Sequence, residues 1–173
     1  IENLRAAGIN VFVRGWGWPE GRVSQEEMIQ IFSRSKINLN FNMPPSRWDR
    51  QWLGRLLFKR SVNRIVLSCC HPISNFKSWL KTSILQIKAR PFELAGCRTF
   101  VISGYADDLE NYYKENEEMV FYRSVADLIE KIKYYLPRES EREKIAQAGY
   151  ERTLREHTYK QRFQDIFKTI GLN

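Results

Sequence analysis

The stretch from Gln86 to Ser103 constrains the fold most strongly, because a helix pattern and a strand pattern follow each other there without a linker. Pro91 predicts a helix start, since proline is favoured at the first helical position, where its missing N–H costs no hydrogen bond. The apolar residues from Thr99 to Ser103 then predict a buried strand. A helix that leads directly into a strand is typical of α/β proteins.

The same alternation of helix and strand patterns extends along the chain. Ser24 and Glu27 form a capping box, which predicts a helix start, and the apolar spacing after Ser124 predicts another helix. Further strands are predicted at Ile9–Val13, Ile37–Phe41 and Met119–Tyr122, and further helices at Asp107–Tyr113, at Glu139–Leu154 and after Thr158. Strands that alternate with helices of this length predict a parallel sheet covered on both faces, with right-handed crossovers. We therefore predict an α/β fold, a Rossmann-like parallel sheet flanked by helices.

The periodicity also predicts which side chains lie inward. In the strand Ile37–Phe41 the apolar residues Ile37, Leu39 and Phe41 alternate with Asn38 and Asn40, so we predict a strand with a polar face or a polar tip. The helix from Glu139 is expected to bury Ile145 and Leu154. In the last helix the residues expected inside are Tyr159, Phe163, Ile166, Phe167 and Ile170.

Length and composition fit one domain over residues 1–173, large enough for its own core. No apolar run approaches the ~20 residues of a membrane span, so a cytoplasmic protein is expected. The three cysteines, two of them adjacent, match neither a disulfide framework nor a zinc pattern. Because the chain opens on Ile1 rather than methionine, we interpret it as a fragment.

Positive charge is concentrated in one part of the chain. The net charge is +8, and ten of the lysines and arginines lie between Pro45 and Arg90 with one acidic residue. We treat residues of about 44 to 83 as an insertion, in which basic residues mix with Trp, Leu and Phe. Helices are predicted there at Arg47–Arg60 and from Phe76 to Ile84, and a short strand or tether at Ile65–Leu67. Such a composition fits a helix on an anionic membrane surface or a segment packed on its own or a partner domain.

A cationic loop leads into the predicted helix at Pro91. Lys88 and Arg90 lie two residues apart on this loop, and Glu93 follows one turn into the helix. A helix N-terminus, here at Pro91 and Phe92, offers free N–H groups and partial positive charge, so it attracts phosphate. Glu93 is placed to accept hydrogen bonds from a diol such as ribose. Together these features predict a sugar-nucleotide site, with a solvated loop as the alternative.

Three further pairs of residues lie at the C-terminal ends of predicted strands, where ligands bind in open α/β sheets. They are Gly15 and Trp16, then Asn40 and Asn42, then Gly104 and Tyr105. We expect Trp16 to flank the base while Gly15 lets the backbone come close, and Asn40 and Asn42 to bond the sugar. The alternatives are a packing tryptophan and side-chain amides that form turns.

Several segments occur in an order and spacing that resemble a known family. They are SQEEMIQIFSRSKINLNF, QIKARPFELAGCRTFVIS, DDLENYYKENEEMVFY, DLIEKIKYYL and EREKIAQAGYERTLREHTYKQRF. The chain is similar to the C-terminal donor-binding domain of GT-B-fold glycosyltransferases, within the group related to the spore-coat protein CgeB. The resemblance covers most of residues 8 to 171, apart from about 44 to 83.

The resemblance implies one Rossmann-like half of a GT-B enzyme of glycan biosynthesis, which binds a nucleotide-diphosphate sugar and needs no metal or other cofactor. It implies that Glu93 binds the ribose hydroxyls and that the acceptor lies in an N-terminal domain missing from this sequence. Lys88 and Arg90 are then the catalytic candidates, because fixed cations stabilise the diphosphate as it leaves.

Two departures from the family pattern matter. Leu85 stands where related retaining enzymes often carry a second glutamate, so the stereochemical outcome stays open. Arg98 and Thr99 stand where glycines are usual, and Arg98 in the left-handed region is expected to cost ~1 kcal/mol.

We predict a glycosyltransferase domain that binds a nucleotide-sugar donor. One alternative is a sugar-nucleotide epimerase of the same fold. The other is a non-catalytic module that binds anionic membrane or nucleic acid through the insertion. The main hypothesis allows peripheral contact with an anionic membrane and expects no nucleic acid. His157 is expected to be structural, because it lies between two surface helices.

Overall fold

The computed structural model describes residues 1–42, 58–61, 64–67 and 87–171. Within these ranges the helices are α1 (Glu2–Ala6), α2 (Gln25–Arg34), α3 (Arg90–Gly96), α4 (Val125–Tyr135), α5 (Glu139–Glu156) and α6 (Tyr159–Thr169), with a 3₁₀ turn at Leu109–Asn111. The strands are β1 (Asn38–Asn40), β2 (Phe58–Ser61), β3 (Arg64–Leu67), β4 (Val101–Gly104) and β5 (Val120–Tyr122). In the described ranges, no helix combines sufficient length with sufficient apolar composition to cross a membrane.

The described part of the main sheet has β4 in the middle, with β1 and β5 parallel to it on either side. Ile102 of β4 is the shared reference point, since it pairs with Leu39 on one side and with Val120 on the other. Parallel strands linked through helices are the α/β arrangement that the alternating pattern predicted. The Rossmann-like fold class is therefore confirmed.

Successive residues of β4 and β5 point to opposite faces of the sheet, and both faces are covered by packed side chains. Phe100, Ile102, Val120 and Tyr122 pack with Leu128, Ile132, Tyr135, Ile145 and Ala146 on one face. Val101, Met119 and Phe121 pack with Leu94, Ala95, Ala106, Leu109 and Tyr113 on the other. Helices α4 and α5 thus cover one face, and α3 covers the other.

Local capping signals set three helix starts where the sequence predicted them. Ser24 accepts a hydrogen bond from the Glu27 backbone, and the Glu27 carboxylate accepts one from the Ser24 backbone, at the start of α2. Thr158 and Gln161 form the same reciprocal box at α6. Ser124 caps α4 through the Asp127 backbone. Each cap satisfies backbone donors that a helix otherwise leaves unpaired.

Helix α3 begins at Arg90, one residue before the predicted start, with Ala89 as N-cap and Pro91 buried in the first turn. Its C-terminal turn confirms the strained position, because Arg98 has a φ of 55°. The Thr99 hydroxyl donates to the Leu94 carbonyl at 2.9 Å. The Leu94 carbonyl also accepts from the Cys97 N–H at 3.1 Å, so Thr99 adds a second hydrogen bond at the end of the helix.

One prediction about the N-terminal segment is wrong, and the strand predicted at Ile37–Phe41 is present as β1. Residues Ile9 to Val13 form no strand; Ile9 and Val11 pack on the core, while Phe12 is 61 % exposed. The apolar alternation was correct, but a strand also needs a neighbour for its backbone groups, and the described residues supply none. In β1 the asparagines are the buried residues, and Leu39 is only half-buried.

The C-terminal helices differ from the sequence prediction in burial. Ile145 lies inside as expected, whereas Leu154 is 49 % exposed. The apolar face of α6 is exposed as well: Tyr159, Phe163, Ile166, Phe167 and Ile170. Three of its rings stack along the helix, Tyr159 on Phe163 and Phe163 on Phe167. The amphipathic pattern is real, but in the described structure it faces away from the core.

Only part of the predicted insertion is described. Strands β2 and β3 form an antiparallel hairpin, with Phe58 paired to Leu67 and Ser61 to Arg64. The strand at Ile65–Leu67 is thereby confirmed, and the prediction of helix through Phe58–Arg60 is wrong, because these residues pair across the hairpin. The helices predicted over residues 47–57 and 76–84, and the Leu85 position, lie outside the described residues.

Candidate functional site

At the C-terminal ends of β1 and β4, polar side chains bond with one another and with a backbone carbonyl. We name this group the strand-end cluster: the side chains of Asn40, Asn42 and Ser103 and the carbonyl of Gly104. The Asn40 amide donates to Asn42 Oδ1 at 3.0 Å and to Ser103 Oγ at 2.9 Å. The Asn42 amide donates to the Gly104 carbonyl at 2.9 Å. The hydroxyl of Tyr122 reaches the Asn40 carbonyl at 3.4 Å. These bonds tie the ends of two parallel strands together.

The asparagines of the strand-end cluster are buried, and their amide N–H groups donate within the cluster. Asn40 is 4 % exposed and Asn42 is 3 % exposed. A Cβ at Gly104 would lie 3.0 Å from the Asn42 backbone nitrogen, so the glycine permits the close approach of the two segments. The next residue, Tyr105, has its ring 4.6 Å from the Arg123 guanidinium carbon. The sugar contacts expected of Asn40 and Asn42 stay predictions, as does the role of Gly104 and Tyr105.

Gly15 and Trp16 lie on a turn after the first predicted strand. Gly15 has a φ of 135°, and its N–H donates to the Gly21 carbonyl at 2.8 Å, which closes the turn. Trp16 is 84 % exposed. The contact between Trp16 and the nucleotide base remains a prediction, for a side chain that is exposed in the structure.

A cavity of about 440 Å³ lies between α3, α5 and the start of α6. We call it the helix cavity. Its lining residues are Ile87, Lys88, Ala89, Phe92, Glu93, Gly96, Tyr112, Thr153, Leu154, His157, Thr158, Tyr159 and Arg162. A volume of this size is in the range of small-ligand sites. Of the predicted site residues, the helix cavity brings together Lys88, Phe92 and Glu93.

Arg90 is not part of the cavity wall but holds Glu93. Its Nη1 lies 2.8 Å from Glu93 Oε2, with both side chains 43 % exposed. On its other side the guanidinium carbon is 5.6 Å from the Phe32 ring, and Nη1 is 3.3 Å from Met28 Sδ. Arg90 therefore bridges Glu93 to α2. Glu93 keeps its second oxygen and lines the cavity.

Aromatic rings form one wall of the helix cavity. Phe92 contacts Tyr112 and His157 at centroid distances of 5.5 and 5.3 Å. The His157 Nε2 is 2.9 Å from the Tyr112 carbonyl, which fixes the imidazole ring. Behind this wall, Tyr113 and Thr153 share a 2.7 Å hydrogen bond between their hydroxyls. His157 thus has the packing partners of a structural residue, as expected, and its ring also lines the cavity.

Sequence reasoning missed Arg162. Its guanidinium carbon lies 4.2 Å from the Phe92 ring centre and 5.6 Å from that of Tyr112. Its Nη2 is buried and has no hydrogen-bond partner among the residues that the structure describes. The one local signal was the capping box at Thr158, which places residue 162 in the first turn of α6. The contact between Arg162 and Phe92 joins distant parts of the chain, so the sequence around residue 162 does not indicate it.

Burial shifts two side chains near the helix cavity away from ionisation. It raises the pKa of the Cys97 thiol, and the neighbouring Glu93 carboxylate raises it further. Burial also raises the pKa of Tyr113 to about 12. Both groups are therefore neutral at pH 7. Among the described residues, no three His, Cys, Asp or Glu side chains come together in a way that could hold a metal ion.

The sequence of the chain matches one known protein family. A family model described as glycosyl transferase-like matches residues 1–168. The chain belongs to this glycosyl transferase-like family. No curated protein and no solved structure shows a significant match to it.

Membership in the glycosyl transferase-like family agrees with the parallel sheet and its two covered faces. The match spans almost the whole chain, so the helix cavity and the strand-end cluster both lie within the family domain. The domain is therefore of the glycosyltransferase type. The narrower likeness to the CgeB group stays a prediction.

Proposed function

We propose that this glycosyl transferase-like domain binds a nucleotide-diphosphate sugar in the helix cavity and presents it for transfer to an acceptor. Lys88 contacts the diphosphate, and Glu93 accepts hydrogen bonds from the ribose hydroxyls. The acceptor is held by a further N-terminal domain, outside this sequence. The cations of the protein, rather than a metal ion, supply the positive charge.

One observation carries the proposal: Lys88 and Glu93 line the same cavity. The two residues are five positions apart, on either side of a helix start. The fold at this helix start brings a cation and a carboxylate to the same cavity. The cavity volume of about 440 Å³ fits a small ligand. In a chain of the glycosyl transferase-like family, a nucleotide sugar is the ligand with both an anionic group and a diol.

In the ion pair between Arg90 and Glu93, Arg90 orients the carboxylate and Glu93 binds the ligand. Arg90 engages Glu93 Oε2 at 2.8 Å, which leaves Oε1 for a ribose hydroxyl. A charge-assisted bond of this kind orients the carboxylate. Arg90 was predicted to contact the diphosphate directly. In this proposal it positions Glu93.

Transfer breaks the bond between the anomeric carbon and the diphosphate oxygen, and the electron pair leaves with the diphosphate. An acceptor hydroxyl forms the new bond to the same carbon and gives up its proton to a base outside this chain. Negative charge grows on the diphosphate as the bond breaks. A cation fixed there is worth more in the transition state than in the ground state, so Lys88 would accelerate the reaction.

Calorimetric titration of the full chain with UDP, GDP, ADP and CDP tests the proposal. We expect one of these nucleotides to bind, and Lys88→Ala or Glu93→Ala to weaken that binding at least about tenfold, since each removes a charged hydrogen-bonding group. Lys114→Ala and Glu117→Ala are the matched controls, because this exposed pair lies on the surface with its charges 3.7 Å apart.

Three results would count against the proposal. Absence of nucleotide binding, together with salt-sensitive binding to anionic vesicles or DNA, would favour the non-catalytic module. Equal losses in the Lys114 and Glu117 controls would show that the effect is not specific to the helix cavity. Release of an epimerised sugar nucleotide without transfer would favour the epimerase.

A further inference from the structure

The helix cavity has a second cation, which the proposed function has not used. Arg162 lies one turn into α6 and lines the helix cavity together with Lys88 and Glu93. We propose that Arg162 contacts the diphosphate of the donor, so that Lys88 and Arg162 hold it and Arg90 does not. This inference rests on the proposed function, since it names the second phosphate contact of the same site.

The hydrogen-bonding state of Arg162 supports this. Three buried side-chain polar atoms lack a partner in the described structure: Gln147 Oε1, Arg152 Nε and Arg162 Nη2. Of these residues, only Arg162 lines the helix cavity. A buried guanidinium N–H without an acceptor is unfavourable. Nη2 itself is closed off from the cavity, but the Arg162 side chain forms no hydrogen bond among the described residues, so a phosphate oxygen in the cavity would accept from the other N–H groups of this guanidinium. Arginine is the side chain best shaped to bind phosphate.

The charges of the site point the same way. The Glu93 charge is compensated by Arg90, at 2.8 Å. Lys88 and Arg162 form no ion pair among the described residues, so the site, with Arg90 counted against Glu93, carries an excess of two positive charges. A diphosphate is the anion that matches two cations. The start of α6 at Tyr159, which also lines the cavity, adds the positive end of a helix of 11 residues.

The position of Arg162 is fixed by packing on α3. Its guanidinium lies 4.2 Å from the ring centre of Phe92, which directly precedes Glu93. This cation–π contact holds the side chain against the helix that carries the proposed ribose ligand. The same contact also suggests a purely structural role for Arg162. The experiment must separate the two roles.

The test measures the affinity of the full chain for whichever of UDP, GDP, ADP and CDP binds best. Arg162→Met removes the charge and keeps an apolar side chain on Phe92, and Arg162→Lys keeps the charge. Lys168→Met is the matched control, because it removes one charge from an exposed position of the same helix. Thermal unfolding of each variant confirms that it is folded.

We expect Arg162→Met to weaken nucleotide binding about tenfold or more. Arg162→Lys should recover part of the loss, and Lys168→Met should bind like wild type. Unchanged affinity in Arg162→Met would overturn the inference, and so would an equal loss in the control or no recovery with lysine. If the wild type binds nucleotide and only Lys88→Ala and Glu93→Ala weaken it, this inference fails while the proposed function stands. If the wild type binds none of the four nucleotides, the proposed function itself fails.

Discussion

The strand-end cluster and the helix cavity both contain polar side chains, but they differ in how those side chains are satisfied. In the strand-end cluster, the amides of Asn40 and Asn42 bond to each other, to Ser103 and to the Gly104 carbonyl. In the helix cavity, Lys88 has no ion pair in the described structure and Arg162 keeps a buried donor without an acceptor. The amide donors of the first arrangement are paired within the protein, whereas the second leaves a cation and a buried donor without partners among the described residues.

This difference teaches where to look for a ligand in this fold. The C-terminal ends of parallel strands are the usual place, and the sequence analysis put six of its candidate residues there. Buried polar groups that satisfy one another mainly stabilise the fold. An unmatched cation beside a cavity of ligand size marks a binding site more directly than position in the sheet does.

The largest effect is expected from closing the space behind the helix cavity. A Cβ at Gly149 of α5 would lie 2.3 Å from the Glu118 carbonyl oxygen, a backbone atom that cannot move aside easily. We expect Gly149→Ala to lower the free energy of unfolding by about 3 kcal/mol, measured by urea denaturation. Gly96→Ala is the control, since its nearest neighbour is the Thr153 methyl at 3.8 Å. A loss below about 0.5 kcal/mol in Gly149→Ala would contradict the close approach of α5.

A smaller loss is expected at the strand-end cluster. Asn42→Ala removes the bond to the Gly104 carbonyl and leaves Asn40 and Ser103 short of a partner. We expect a loss of about 2 kcal/mol in the free energy of unfolding, with nucleotide affinity unchanged. Asn111→Ala, which removes an exposed bond to Asp108, should change stability little. The contrast between the two regions would be wrong if Asn42→Ala kept its stability and lost sugar-nucleotide binding.

The smallest effect appears only at high pH, and it compares one tyrosine from each region. Burial raises the pKa of Tyr122, at the strand-end cluster, and of Tyr113, behind the cavity wall, to about 12 in both cases. The unfolded value is near 10. The raised folded pKa therefore stabilises the protein fully below pH 10, and this contribution is lost as the pH rises towards 12.

We expect the wild-type free energy of unfolding to fall between pH 10 and pH 12 more steeply than that of the double variant Tyr113→Phe and Tyr122→Phe. Urea denaturation at several pH values in this window gives the slopes. The two proteins are otherwise identical, so contributions from all other groups cancel in the comparison. Identical slopes would show that neither phenol is held neutral by the fold.

Sequence reasoning succeeded where the signal was local. The capping boxes at Ser24 and Thr158, the strand at β5 and the strained turn at Arg98 are each set by a few neighbouring residues. It failed where burial depends on what packs across the fold. Asn40 of β1 and Asn42 beyond it are buried with partners, Ser103 and Gly104, that lie 61 to 63 positions away.

The candidate site divides in the same way. Lys88, Phe92 and Glu93 were predicted from one short motif, and the structure places them on one cavity. The direction of Arg90 was not predictable, because its partners Met28 and Phe32 lie on another helix. Arg162 was missed for the same reason, since Phe92 lies 70 positions earlier in the chain.

Hydrogen exchange with and without the best-binding nucleoside diphosphate, followed by mass spectrometry, tests most directly whether the helix cavity is the donor site. We predict slower exchange at residues 87–97 and 157–163 when the nucleotide is bound, with residues 14–21, 38–42 and 101–106 unchanged. Slower exchange at residues 14–21 and 38–42, with none at 87–97 or 157–163, would place the nucleotide at the ends of the strands and contradict the account.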